Sequence, residues 1–313
     1  MKRNVSSYRK SVQPPSSVLS IDKLSIIISA KNEGQYIRST VESLLNTAYY
    51  GDFEVIVIND GSTDGSCDFL MQPEYSTVIY EKGCDLGVAG SRRLGASMAT
   101  GDVMLFLDAH LRFSSGWLTT LLRPLQDSNT HAVCSGIKNI SENNRIIYSF
   151  YGGTWNEWLV WQPILKKPSR VREVPLSPGG CTAIRATAYK AVGGHGEMFR
   201  GWGYEDQELS LRLWTTGHRI VIQPNVQVIH IERKKQYEID SKARKRNLAY
   251  LAFLHMDQNH LEKVRLMWRL DQQYLEIFSE LSKDEECIRL KKEFEHIRKK
   301  SFAWFLKKFA ISF

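Results

Sequence analysis

From Leu24 onward, short apolar runs alternate with stretches of helical length, and this alternation limits the possible folds more than any other feature. The runs are Leu24–Ala30, Phe53–Asp60, Thr77–Glu81 and Val103–Asp108, followed by His131–Lys138. Between them lie segments read as helices, from Gly34 to about Asn46, over 88–99 and over 115–126; Ser62 or Thr63 is placed to cap a further one. Strands that alternate with helices of this length imply an α/β fold, a Rossmann-like, mostly parallel sheet flanked by helices. Residues 139–200 read as irregular and rich in aromatics and glycine. A helix over Glu205–Thr216 and strands at 218–223 and 226–231 come next. The expected organisation is a mobile polar tail (1–22), a catalytic domain (23–235, divided into 23–138 and 139–235) and a basic helical extension (236–313).

In sheets of this kind ligands gather beyond the carboxyl ends of the strands. Glu33, Asp60, Asp108 and His110 all fall at such ends. Residues i and i+2 of an extended chain share a side, so Asp108 and His110 can reach one ion. A carboxylate with an imidazole suits Mn²⁺ (or Mg²⁺), and a diphosphate can complete the coordination. Alone, the tripeptide is more often a strand-end acid beside a solvent-facing imidazole; its surroundings decide.

The net charge of +8 is uneven, concentrated in residues 231–248 and in the last 25 residues. Such patches suit phosphate, anionic lipid or nucleic acid, and a solvated basic helix face is the commoner explanation. The five cysteines are scattered and never form a C-x-x-C pair, which argues against a disulfide framework and a zinc site. No apolar run is long enough to span a bilayer and the N-terminus has no signal-like apolar core, so the expected location is cytoplasmic.

Four segments in order resemble the family 2 glycosyltransferases and their GT-A relatives: Asn59-Asp60-Gly-Ser-Thr-Asp64, Gly87-Val-Ala-Gly-Ser-Arg-Arg-Leu-Gly95, Asp108-Ala-His110 and Gly201-Trp-Gly-Tyr-Glu-Asp-Gln-Glu208. The Asp-x-His form and His230, with Tyr151-Gly-Gly-Thr-Trp155 and Pro178-Gly-Gly180, are similar to the polypeptide N-acetylgalactosaminyltransferases. The resemblance implies a GT-A fold, a UDP-sugar donor, a peptide, protein or glycan acceptor, and a metal held by Asp108, His110 and His230. It implies donor contacts from Ala30, Asn32, Glu33, Asp60 (to the uracil N3–H), Arg92, Asp108, Gly179 and Gly180. Acceptor contacts would come from Trp155, Trp202 and Gly203, with Trp158 and Trp161 as further candidate walls. Asp206, with Glu205 beside it, stands where the galactose-transferring enzymes carry the base of an inverting displacement. The polypeptide transferases retain configuration and carry Asn there.

The metal ligands thus resemble a retaining family and the base an inverting one; the expectation is inversion. The alternatives are a retaining peptide O-glycosyltransferase, or a nucleotide-sugar-binding partner protein without catalysis, which would call for a broken metal motif or base. A nucleotidyltransferase would need a basic glycine-rich phosphate loop after the first strand, where Lys31-Asn-Glu-Gly34 stands instead. No nucleic-acid partner is expected. The cationic, aromatic end Arg298–Phe313 is expected either to dock on the catalytic domain or to lie on an anionic membrane at the inner surface.

Overall fold

The computed structural model describes residues 21–49, 51–233 and 240–313, so most of the expected tail, and the middle of the basic run that begins at 231, lie outside the described residues. The first half follows the alternation: β1 (Lys23–Ala30), α1 (Tyr36–Leu45), β2 (Asp52–Asn59), β3 (Val78–Lys82), α2 (Gly87–Met98), β4 (Val103–Asp108), β5 (Leu111–Arg112) and α3 (Trp117–Leu122). β1 pairs in parallel with β2 and β4, and β2 with β3. The register sets Ala30 beside Asn59 and Ser29 beside Asp108, so these strands end together on one edge. Their side chains are buried on both faces. Ile27, Ile56 and Phe106 point into a core shared with α2, whereas Ile26, Val57 and Leu105 face one shared with α1 and α3.

Two expected helices are altered. No α-helix follows Asp60; Ser62 Oγ accepts the Asn32 N–H at 3.0 Å instead, and only a 3₁₀ turn, Asp68–Met71, forms. The helix expected to reach 126 leaves α geometry at Arg123, because Pro124 lacks the N–H that would continue it.

The stretch read as irregular holds β7 (Ile146–Phe150), β8 (Gly153–Trp155), β9 (Trp161–Pro163), β10 (Arg172–Glu173), β11 (Cys181–Arg185) and α4 (Ala186–Ala191), after a β6 (Ala132–Ser141) longer than expected. β11 matters most for the site. It runs antiparallel between β4 and β6, giving, with β12 at Ile220–Glu232, the order β10-β12-β6-β11-β4-β1-β2-β3. α5 (Glu205–Thr215) follows as expected. The two strands expected near 220 and 230 are one, β12 (Ile220–Glu232), bulged between Gln223 and Gln227 where Pro224 cannot donate to the ladder with β6.

The C-terminal region forms α6 (Ser241–His255), α7 (Gln258–Met267), α8 (Gln272–Lys283), α9 (Glu285–Ile297) and α10 (Phe302–Lys308). Asp240, Asp257, Asp271, Asp284 and Ser301 each cap the helix that follows. α6 is buried along most of its length and joins the core under α5. The aromatic residues of the final segment lie inward: Phe302 and Phe305 are at most 1% exposed, and the Phe309 ring meets Trp214 at 5.0 Å. Docking, not lipid contact, accounts for them.

Candidate active site and metal centre

The turn after β4 carries Asp108 to His110 into β5, and β5 pairs with the end of β12 so that Leu111 stands opposite His230. One carboxylate and two imidazoles therefore converge. A ligand atom from each of Asp108, His110 and His230 lies within 4.8 Å of the others. The two Nε2 atoms face each other at 3.0 Å, and His230 Nε2 is 3.6 Å from Asp108 Oδ2. Imidazole nitrogens bind first-row divalent ions at about 2.0–2.1 Å, which brings two such nitrogens to roughly 3 Å of each other. The cluster fits a divalent cation.

Glu33 stands behind His110. Its Oε2 is 2.9 Å from His110 Nδ1, and its Oε1 accepts from Arg233 Nη2 at 2.5 Å. A carboxylate on Nδ1 holds the proton there and turns the Nε2 lone pair toward the ion. Glu33, expected as a donor contact, is 5% exposed and committed to this support. His230 has no such backing: its Nδ1 is buried without a hydrogen-bond partner among the described residues.

Arg92, on α2, is 2% exposed. Its Nη1 donates to Asp206 Oδ1, and its Nη2 donates to Asp108 Oδ1 at 3.2 Å and to the Gly179 carbonyl at 2.9 Å. Burial opposes charge on Arg92, and the carboxylates of Asp206 and Asp108 restore it. Burial likewise opposes ionisation of Asp108, yet His230, Arg92 and His110 hold its carboxyl well below the usual range. Gly179 and Gly180 are packing positions. A Cβ on the first would lie 1.8 Å from Asp206 Oδ2, and one on the second 2.9 Å from Asp108 Oδ2. Bare α-carbons let both acids close on the guanidinium.

At the carboxyl end of β2, Asp60 is buried, and its oxygens accept the backbone N–H groups of Leu86 (2.6 Å) and Gly87 (2.9 Å) at the start of α2. Burial raises its pKa against those hydrogen bonds. Asp60 thus anchors the glycine-rich helix, whatever else it meets. Ala30 accepts the Asp60 N–H at 2.8 Å, and Asn32, at φ +51°, accepts the Thr63 N–H at 2.7 Å.

The acceptor expectations divide. Trp202 is 41% exposed, with the Arg244 guanidinium 5.8 Å from its ring centre. Trp155 is corrected. It is 3% exposed, donates from Nε1 to Gln207 and packs against Phe302 and Phe305 of α10, so it is core. Gly203, at φ +111°, donates to Glu205 Oε2 at 2.7 Å and accepts from Asn247, which shapes the turn into α5. Glu205 is 3% exposed, and its pKa is raised by burial and by the charge of Asp206. Asp206 is the accessible member of the pair, its side chain 24% exposed, and its Oδ2 has no hydrogen bond among the described residues. His195 is buried against Phe106 and Tyr189, with Nε2 3.9 Å from Asp206 Oδ1. Arg233 was not singled out. Its position three residues after His230 was the available signal, but its partner Glu33 is 200 residues away.

Residues 25–193 match the model of glycosyl transferase family 2, and residues 165–237 that of the galactosyltransferase N-terminal domain. The chain is 27% identical over 236 residues to polypeptide N-acetylgalactosaminyltransferase 8 of Drosophila melanogaster, covering 70% of this chain and 40% of the relative. It is 31% identical over 233 residues to polypeptide N-acetylgalactosaminyltransferase 11 of Xenopus tropicalis, covering 68% and 38%. The chain thus spans less than half of either relative. In fold it is similar to GalNAc-T7, solved with UDP, GalNAc and Mn²⁺, at a TM-score of 0.75 and 21% identity over 93% of this chain and 57% of that one. A Pyrobaculum calidifontis mannosyltransferase with GDP-Man and Mn²⁺ aligns at a TM-score of 0.54 and 15% identity over 92% and 83%. The cytoplasmic expectation is overturned by the relatives, which are polypeptide N-acetylgalactosaminyltransferases of animals. That no described helix is long and apolar enough to cross a membrane does not bear on the compartment. With a family model matching over half its length on a GT-A sheet, this chain belongs to glycosyl transferase family 2.

Proposed function

We propose that this chain is a metal-dependent glycosyltransferase that moves a sugar from a UDP-sugar to a hydroxyl of a peptide, protein or glycan. The observation that carries the reading is the convergence of Asp108, His110 and His230 at the carboxyl edge of the sheet, with Glu33 Oε2 2.9 Å from His110 Nδ1. A divalent ion held there supplies Lewis-acid stabilisation of the charge that builds on the departing diphosphate. Asp60 and Asn32 border the nucleotide side, where Asp60 can accept a uracil N3–H with a lone pair left over from its two backbone bonds. Asp206 takes the acceptor proton. Arg92 holds Oδ1 of its carboxylate, and the Asp206 side chain is 24% exposed. A base on the acceptor side, opposite the leaving group, gives inversion. A partner protein without catalysis would have no need of a supported ligand, and here His110 is supported by Glu33.

Nucleotide-sugar turnover by the purified chain tests this, over a panel of UDP- and GDP-sugars with Mn²⁺ and then with a chelator. The expected result is hydrolysis or transfer from one UDP-sugar that stops in the chelator. A folded protein that binds no UDP and turns over no sugar nucleotide overturns the reading. Proton NMR of the product reads the anomeric outcome, and a retained configuration removes Asp206 as base.

A further inference from the structure

Arg92 has more to compensate it than a buried cation needs, and less freedom than a substrate-binding one would have. A desolvated guanidinium must be paired. Here two carboxylates from distant parts of the chain flank it: Asp108, one of the three clustered metal-ligand candidates, and Asp206, at the start of α5. A third bond to the Gly179 carbonyl fixes its plane, and Arg92 Nε is buried without a partner among the described residues. Since Gly179 and Gly180 crowd the two acids with bare α-carbons, the arrangement is built for close approach on both sides. Asp108 therefore has two cationic claimants, Arg92 and any divalent cation taken up by the cluster. Arg92 in turn has two anionic ones.

We propose that Arg92 is a positioning residue that couples cation binding at Asp108, His110 and His230 to the placement of Asp206. When Asp108 is drawn to a divalent cation, the guanidinium is left to Asp206 and holds that carboxylate in one orientation. Reciprocally, the negative charge of Asp206 offsets Arg92 and makes the site more receptive to the cation. Coupling of this kind is reciprocal by thermodynamic necessity. The inference rests on the metal half of the proposed function and says nothing of the donor or the acceptor.

The test is Mn²⁺ affinity of the intact chain without nucleotide, read from free Mn²⁺ by electron paramagnetic resonance. Asp206→Asn leaves Arg92 to draw on Asp108 alone, so Mn²⁺ should bind roughly five- to fiftyfold more weakly, the ordinary range of coupling between sites, although Asp206 is no ligand. Arg92→Gln removes the competing cation and should tighten Mn²⁺ binding several-fold. In the double variant most of the Asp206→Asn loss should vanish. Unchanged affinity in Asp206→Asn, or weaker binding in a folded Arg92→Gln, overturns the coupling. If Arg92→Gln does not fold, Asp206→Asn decides alone, since its side chain is partly exposed. A wild-type chain that binds no Mn²⁺ overturns the metal reading itself, whereas wild-type binding with an indifferent Asp206→Asn removes only the coupling.

Discussion

Replacing Glu33 by Gln changes one atom and should disable His110 as a ligand. In the native chain both Glu33 oxygens are acceptors, one facing Arg233 Nη2 at 2.5 Å and the other His110 Nδ1 at 2.9 Å. A Gln amide has one acceptor and one donor. Arg233 cannot give up its donors, so the amide oxygen turns to it and the NH₂ faces Nδ1. That orientation asks Nδ1 to accept and moves the imidazole proton to Nε2, the atom that faces His230 across 3.0 Å. Loss of a group that orients a ligand typically costs 10–100-fold in metal affinity, or about 1.4–2.7 kcal/mol. A second effect follows from burial, because Arg233 and Glu33 side chains are 9% and 6% exposed. Exchanging that ion pair for a bond to a neutral amide leaves the buried Arg233 charge without its counter-ion and should lower stability by about 1–3 kcal/mol. Mn²⁺ titration and urea unfolding measure the two separately. Mn²⁺ affinity within twofold of the native chain, in a variant whose stability has fallen, would refute the tautomer argument and leave Glu33 only a structural partner of Arg233.

Asp60→Ala should weaken UDP roughly ten- to a hundredfold by calorimetry and also lower the melting temperature, since the Leu86 and Gly87 N–H groups lose their acceptor; unaltered UDP affinity would reduce Asp60 to a helix anchor. Trp155→Ala should cost about 3–5 kcal/mol in urea unfolding, while the milder Trp155→Phe should leave the acceptor KM unchanged; a raised KM in a stable Phe variant would return Trp155 to the acceptor site. For Glu54, burial raises the pKa, but hydrogen bonds from Ser25, the Thr100 backbone and Lys23 outweigh it and bring it from 4.5 to about 2. A depressed carboxylate stabilises above its unfolded pKa, so about 2–3 kcal/mol should be lost between pH 4.5 and pH 2, and Glu54→Gln should show a shallower acid loss over that window.

What the sequence revealed follows from how far apart the interacting groups are in the chain. The first strands are apolar on both faces, and a parallel sheet is the arrangement that buries them, so β1, β2, β4 and their shared edge could be read directly. Asp108 and His110 were visible because period-two geometry is local. β11 was hidden: five residues after a Pro-Gly-Gly turn give little periodicity, and its place between β4 and β6 is fixed by pairing with strands 50 and 78 residues earlier at the register points Ala183–Val133 and Ala183–Leu105. Trp155 was misplaced because an exposed aromatic platform and a buried wedge look alike in sequence. Its partners Phe302 and Phe305 lie in a segment whose cations suggested a membrane surface.

The same limit explains why Arg92 and Asp206 were each noticed but not their union. Arg92 belongs to a helix with a glycine pattern, Asp206 to a helix start where an acid needs no explanation beyond the dipole. Only β11, inserted antiparallel beside β4, brings Gly179 and Gly180 between them. An acid whose sole task was to match the helix dipole would not require a neighbouring α-carbon to be bare. A Cβ at Gly179 would lie 1.8 Å from Asp206 Oδ2, so any other residue there must displace either the carboxylate or the strand. The glycine pair thus ties the acid on α5 to the strand end that carries the metal-ligand cluster. It places both carboxylates, by packing alone, on one guanidinium.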